Sequence, residues 1–243
     1  MAISLLALAQ CAPRYSGTGE ILGDVSLVVE KMKNYRESLT SCRRVFSFKA
    51  RRGIAHMRGD GLFLYEAPGL YRLDVWDNMG NLLIHYVENE VDRELFVTGS
   101  EDIFALSSHE EESGEGGGFT IDELKALGLG AFVPPEQPLQ TKWERGELVV
   151  SYPREAQAVQ KHISIVPESG MLSRYEVTVG EREARRASLS GMRNVNGIPR
   201  STRIEMVDRQ HSLDVVLEIA QESLNAAIPE SLFFPSGSPG ERP

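Results

Sequence analysis

The side chains able to do chemistry are few and scattered. The chain of 243 residues carries two cysteines, Cys11 and Cys42, and five histidines, His56, His85, His109, His162 and His211. A catalytic metal needs convergent ligands, as in a His-Glu-x-x-His helix, and no such spacing occurs. There is no Gly-x-Ser-x-Gly elbow to expose a serine nucleophile, and neither cysteine sits in a nucleophile signature. His109 beside Glu110–Glu112 is the densest set of ligand types, but it lies in the polar, glycine-rich run SSHEEESGEGGG over Ser107–Gly118. Such a run reads as a solvated loop. Gly128-Leu129-Gly130 follows a helical pattern rather than a strand, so it reads as a helix stop and not a phosphate loop. The inventory points away from an enzyme: it assigns no catalytic residue and no metal, and it calls for no cofactor.

Cys11 has the more distinctive setting. It closes the apolar opening MAISLLALAQC, which is too short to span a bilayer but resembles the end of a secretory apolar region. Leu8-Ala9-Gln10-Cys11 resembles a bacterial lipobox, in which the cysteine is acylated and becomes the mature N-terminus. Gln10 is bulkier than the residue usual at that place. Several acyl chains on Cys11 would hold the protein firmly to a membrane, whereas one chain binds only marginally. Cys42 opens a strand pattern and reads as a small, partly buried side chain. The net charge of -9, with no Lys/Arg-rich block, argues against nucleic acid, whose phosphates demand a basic surface.

Few elements are needed to position these groups. Asp24 caps a helix whose apolar positions Val25, Val28, Met32, Tyr35 and Leu39 follow the helical period. Gly61–Val97 reads as four short strands, and their alternation gives one dry face and one wet face. Pairing Leu62 with Val75, Leu64 with Leu73, and Ile84 with Leu95 places Leu62, Leu64, Leu73, Val75, Ile84, Tyr86, Leu95 and Val97 on the dry side. The wet side carries Arg72, Asp74, Trp76, His85 and Glu94, with Phe63 and Tyr65 as exceptions. Gly59-Asp60-Gly61 reads as a bulge or bend, and a bent strand suits a sheet that curls.

Thr120-Ile121-Asp122-Glu123 is a capping box opening a short helix with Ile121, Leu124 and Leu127 on one side. Further strands follow over Leu148–Tyr152, His162–Val166, Met171–Val179, Ala184–Ser190, Ser201–Asp208 and His211–Ile219. A short turn begins at Pro229, with Phe233 and Phe234 covering one end of the core. The expected organisation is a tether over 1–23, one domain over 24–235 and a disordered tail over 236–243.

This order of elements, with its closing Ile-Pro-Glu-Ser-Leu-Phe, resembles the bacterial lipoprotein carrier and receptor superfamily, the LolA/LolB-like fold. The likeness spans about residues 25–235 and is closer to the outer-membrane lipoprotein receptor LolB. It implies a mainly β protein with a few helices, in which a strongly curved antiparallel sheet forms an unclosed β-barrel covered by a helical lid. The enclosed apolar cavity would take the acyl chains of lipoproteins or lipids, lined by the dry-face residues above. In the family receptor, Asn-Pro-Leu-Gly between two strands presents a membrane-inserting leucine. Here Asp77-Asn78-Met79-Gly80-Asn81 stands at that place, so Met79 would take that role, without the proline. The resemblance implies a monomer anchored on the periplasmic face of the bacterial outer membrane, with a periplasmic lipoprotein carrier as partner. The alternative is an anchored periplasmic protein-interaction module with no internal ligand.

Overall fold

The computed structural model describes residues 24–90, 92–98, 118–132, 140–152, 159–180 and 182–234. Cys11 and the tether 1–23, His109 with Glu110–Glu112, and the tail 236–243 lie outside the described residues. Helix α1 (Val25–Glu37) starts where Asp24 accepts a hydrogen bond from the Ser26 amide at 2.9 Å. It buries Val28, Met32 and Tyr35, the stripe that the helical period demands. Five strands follow: β1 (Ser41–Arg52), β2 (Ala55–Glu66), β3 (Leu70–Asp77), β4 (Leu82–Glu88) and β5 (Arg93–Val97). After helix α2 (Ile121–Leu129) come β6 (Gln140–Glu144), β7 (Glu147–Ser151), β8 (Val159–Ile165) and β9 (Leu172–Val179). The last strands are β10 (Arg182–Val195), β11 (Ile198–Asp208) and β12 (Leu213–Leu224), closed by a 3-10 turn over Glu230–Phe233.

The twelve strands of the described residues form one antiparallel sheet in the order β5-β4-β3-β2-β1-β12-β11-β10-β9-β8-β7-β6. Each strand pairs with its sequence neighbour except at the centre, where β1 meets β12. Two meanders therefore fan out from the first and last strands. The outermost strands, β5 and β6, do not pair with each other among the described residues. The sheet curls without closing, and the two helices of the described residues lie over its inner face: an unclosed barrel with a lid.

The first meander departs from the expected register in an instructive way. β3 and β4 pair as the alternation requires, with Val75 opposite Ile84 and Leu73 opposite Tyr86. β2 does not. Leu62 lies opposite Asp74, and Leu73 lies opposite Phe63. The connection is the three residues Ala67–Gly69 between the paired ends Glu66 and Leu70, one fewer than the expected pairing needs. One residue of slip turns a strand over, so Phe63 and Tyr65 face inward while Leu62 and Leu64 face outward. Between β4 and β5 the slip is two residues, with Tyr86 opposite Leu95 and Ile84 opposite Val97, which leaves the faces unchanged.

The outer face is not simply wet. Leu62, Leu64 and Trp76 form a second apolar cluster with Ile228 and Phe233 of the C-terminal segment. Arg72 there donates to the Leu232 carbonyl at 2.9 Å and to Asp74 at 2.6 Å, and Asp74 also lies 2.6 Å from Nδ1 of a buried His85. Phe233 therefore packs against the outside of β2–β4 rather than over an end of the main core, and Phe234 is half-exposed. A strand dry on both faces carries a continuous apolar run, which is what Leu62–Tyr65 is.

Candidate functional site

Between the inner face and α2 lies an apolar cavity of about 80 Å³. Phe46 and Phe48 of β1 line it together with Phe63 of β2, Val215 and Ile219 of β12, and Phe119, Leu124 and Leu127 from α2 and its approach. Two glycines shape its floor. Phe46 lies opposite Gly61 and Phe48 opposite Gly59, and a methyl group on Gly61 would fall 2.2 Å from the Phe46 ring. The rings lie across the missing side chains, as aromatic residues do beside sheet glycines. Of the bulge or bend expected at Gly59–Gly61, the bulge is absent, because the β1–β2 register runs unbroken from Ser41 to Arg52. Gly128 does the same for the lid: its Cβ would meet the Phe63 ring at 2.8 Å, so its absence lets α2 settle onto β2.

Both ends of α2 are tied to the sheet. At the N-terminus, the Thr120 hydroxyl accepts from the Glu123 amide at 3.2 Å, and the Glu123 carboxylate accepts from the Thr120 amide at 3.0 Å. The same carboxylate accepts from Tyr175 at 2.5 Å and Arg185 at 3.3 Å, and Arg185 also donates to the Gly118 carbonyl. At the C-terminus, Gly130 adopts a φ of 63° and ends the helix. Arg200 donates there to the carbonyls of Leu129 and Gly128, and to the Tyr35 hydroxyl of α1 at 2.8 Å.

Arg200 belongs to a buried hub. Its Nε and the Nε of Arg44 both donate to Oε1 of Glu222, at 2.7 and 2.6 Å. Arg193 reaches the other Glu222 oxygen at 3.3 Å. Burial alone would raise Glu222, but the charges and hydrogen bonds of Arg44 and Arg200 bring it below the ordinary glutamate value. Burial pushes the Cys42 thiol up, with Arg200 and Arg44 opposing, so Cys42 is a buried neutral group. Sequence reasoning missed this hub, because its members are far apart along the chain.

Of the residues expected to line a cavity, Leu73, Val75 and Ile84 do so. Tyr86 sits beside a smaller recess under Leu124 and Lys125, where burial and its hydrogen bond to Glu88 push the phenol up to about 12. Leu95 packs against the main core from strand β5, and Val97 is half-buried. Leu62 and Leu64 lie on the opposite face and line nothing inside. Met79, in the β3–β4 turn, is 85 % exposed; Asp77 holds that turn by accepting from the amides of Met79 and Asn81, each at 2.8 Å. No group of three His, Cys, Asp or Glu able to hold a metal occurs among the described residues. No helix among them is long and apolar enough to cross a membrane.

No protein-family model matches the chain, and no curated protein sequence matches it. Solved structures do. A DUF1329 family protein from Desulfovibrio piger superposes with a TM-score of 0.59 at 12% identity, covering 86% of this chain and 95% of that one. A LolA superfamily protein from Nitrosomonas europaea gives 0.50 at 12% identity, covering 86% and 97%. A putative outer membrane lipoprotein-sorting protein domain from Vibrio parahaemolyticus gives 0.50 at 9% identity, covering 85% and 94%. At such identities the likeness is one of fold.

Proposed function

Starting from a fold shared with LolA superfamily proteins, we propose that this protein holds acyl chains of lipoproteins or lipids in its inner cavity and aids their delivery to the bacterial outer membrane. The observation that carries the reading is the apolar cavity of about 80 Å³ under α2. Dense packing is the rule in protein interiors, so a void walled by phenylalanine and aliphatic side chains is a place for a ligand. Each methylene removed from water contributes about 0.8 kcal/mol. A trough of this kind therefore binds hydrocarbon without fine polar contacts. The cavity is small beside a whole acyl chain, so loading requires α2 to lift from Phe63. In this reading Cys11 carries the lipid anchor, Met79 enters the target bilayer, and a periplasmic carrier supplies the cargo to a monomeric receptor on the periplasmic face. The test is uptake of a fluorescent fatty-acid analogue by the purified full chain, with mass spectrometry of lipid extracted from it. Saturable uptake with co-purifying acyl chains is expected. Absence of both would leave an interaction module with no internal ligand.

A further inference from the structure

Behind the apolar wall of the cavity lies a cluster of charge that the protein neutralises only in part. Arg44 is 1 % exposed and lines the cavity beside Phe46 and Phe63. Arg44 and Arg200 are both fully enclosed, and both spend their Nε on a single oxygen of Glu222. The partly exposed Arg193 adds a third cation to the same carboxylate. The other groups facing the hub bring no balancing charge: burial pushes both the Tyr35 hydroxyl and the Cys42 thiol up. Arg200 uses its remaining donors on Tyr35, Cys42 and the carbonyls closing α2. Arg44 does not. Its Nη2 donates to the Ser201 carbonyl at 3.2 Å, while its Nη1 is buried with no hydrogen-bond partner among the described residues. A buried guanidinium in excess of its counter-ions, with an unused donor, is costly unless an acceptor comes to it.

We propose that the cavity takes an acyl chain bearing a free carboxylate, a long-chain fatty acid, with Arg44 as the residue that holds its head. The carboxylate accepts from Nη1 of Arg44 and neutralises the surplus charge, while the hydrocarbon lies along β1 over Phe46 and Phe48. From Arg44 to Phe48 is four residues of strand, about 13 Å, so head and chain follow one wall. This inference rests on the acyl-binding reading above and narrows its cargo to the free acid. An ester- or amide-linked chain presents only a neutral carbonyl there and leaves the surplus charge in place.

Titration calorimetry of the full chain with decanoate and with decanol separates the two ideas. Wild type should bind decanoate about tenfold or more tightly than decanol, the scale of a hydrogen bond to a charged group. Arg44→Gln should lose that preference while still binding decanol. Equal affinity of wild type for acid and alcohol would overturn the carboxylate site and leave the acyl cavity standing. Binding of neither would remove both. Carbon NMR of carboxyl-labelled palmitate on wild type needs no variant to fold. A bound resonance titrating at lower pH than palmitate in phosphatidylcholine vesicles supports the site, and an unshifted midpoint overturns it.

Discussion

Glu222 is the residue on which the interior electrostatics turn. It accepts from Arg44 and Arg200 with its side chain enclosed, so removing its charge leaves two buried guanidiniums without a counter-ion. Glu222→Gln should destabilise the fold by about 3–5 kcal/mol, the cost of breaking a buried pair from one side, read as a lower urea midpoint. The pH dependence follows from the same contacts. The folded carboxyl lies below its ordinary value of 4.5, so its contribution is complete above that pH and is lost as the pH falls through the folded value. Urea midpoints of wild type measured downward from pH 4.5 should decline, and the Glu222→Gln midpoints should decline less steeply. An acid limb of the same slope in both proteins would assign the loss to other carboxylates. None of this was legible in the sequence. Arg44, Arg200 and Glu222 look like ordinary polar residues in alternating strands, and only the β1-β12-β11 order at the centre of the sheet brings them together.

At the scale of elements, α2 is the part that must move in the proposed loading step, and its closeness to β2 depends on Gly128. Adding a methyl there drives a carbon into the Phe63 ring at 2.8 Å, and one of the two must give way. Gly128→Ala should destabilise by about 1–3 kcal/mol as an overpacking change, although alanine favours helix over glycine. Hydrogen exchange should quicken in α2 before it does in β1 or β12, because the strain falls on the lid. Uniform quickening across the sheet would mean that α2 is an integral wall and not a lid. The helices were readable from local signals: Asp24, the Thr120–Glu123 box and the stop at Gly130 each act within a few residues. The β3–β4 face was readable for the same reason. The phase of β2 was not, since it depends on a single residue of turn length after Glu66, and Leu62–Tyr65 is apolar on both faces. β6 escaped notice as a polar edge strand, Gln-Thr-Lys-Trp-Glu, with no alternation to mark it.

At the scale of the whole molecule, the sheet has two unlike ends. β1 runs from Cys42 and Arg44 at the hub toward the Gly53-Ile54 tip, and the cavity runs with it from Arg44 past Phe48 to Leu213, a neighbour of that tip. The β3–β4 turn lies at the same end, since Gly59 pairs with Asp77. Ile54 is 98 % exposed and Met79 is 85 % exposed, so two adjacent tips each offer an apolar side chain to whatever faces them. Arg52 and Arg58 flank the first tip. A hydrocarbon whose head is held at Arg44 therefore points its tail toward the end that carries these residues. Docking of that end on a bilayer would align the cavity with its source or destination. Cys11→Ser removes the proposed acylation site and lets this weaker contact be measured alone, by co-flotation of the chain with anionic vesicles. Burying one such side chain is worth about 1.5–3 kcal/mol, so Met79→Glu or Ile54→Glu should each weaken flotation about tenfold, and the pair should abolish it. Added salt should weaken wild type as well, because the arginines draw on the surface potential. If both substitutions together leave flotation unchanged, the tips do not touch the membrane, and the cavity must load from another protein instead.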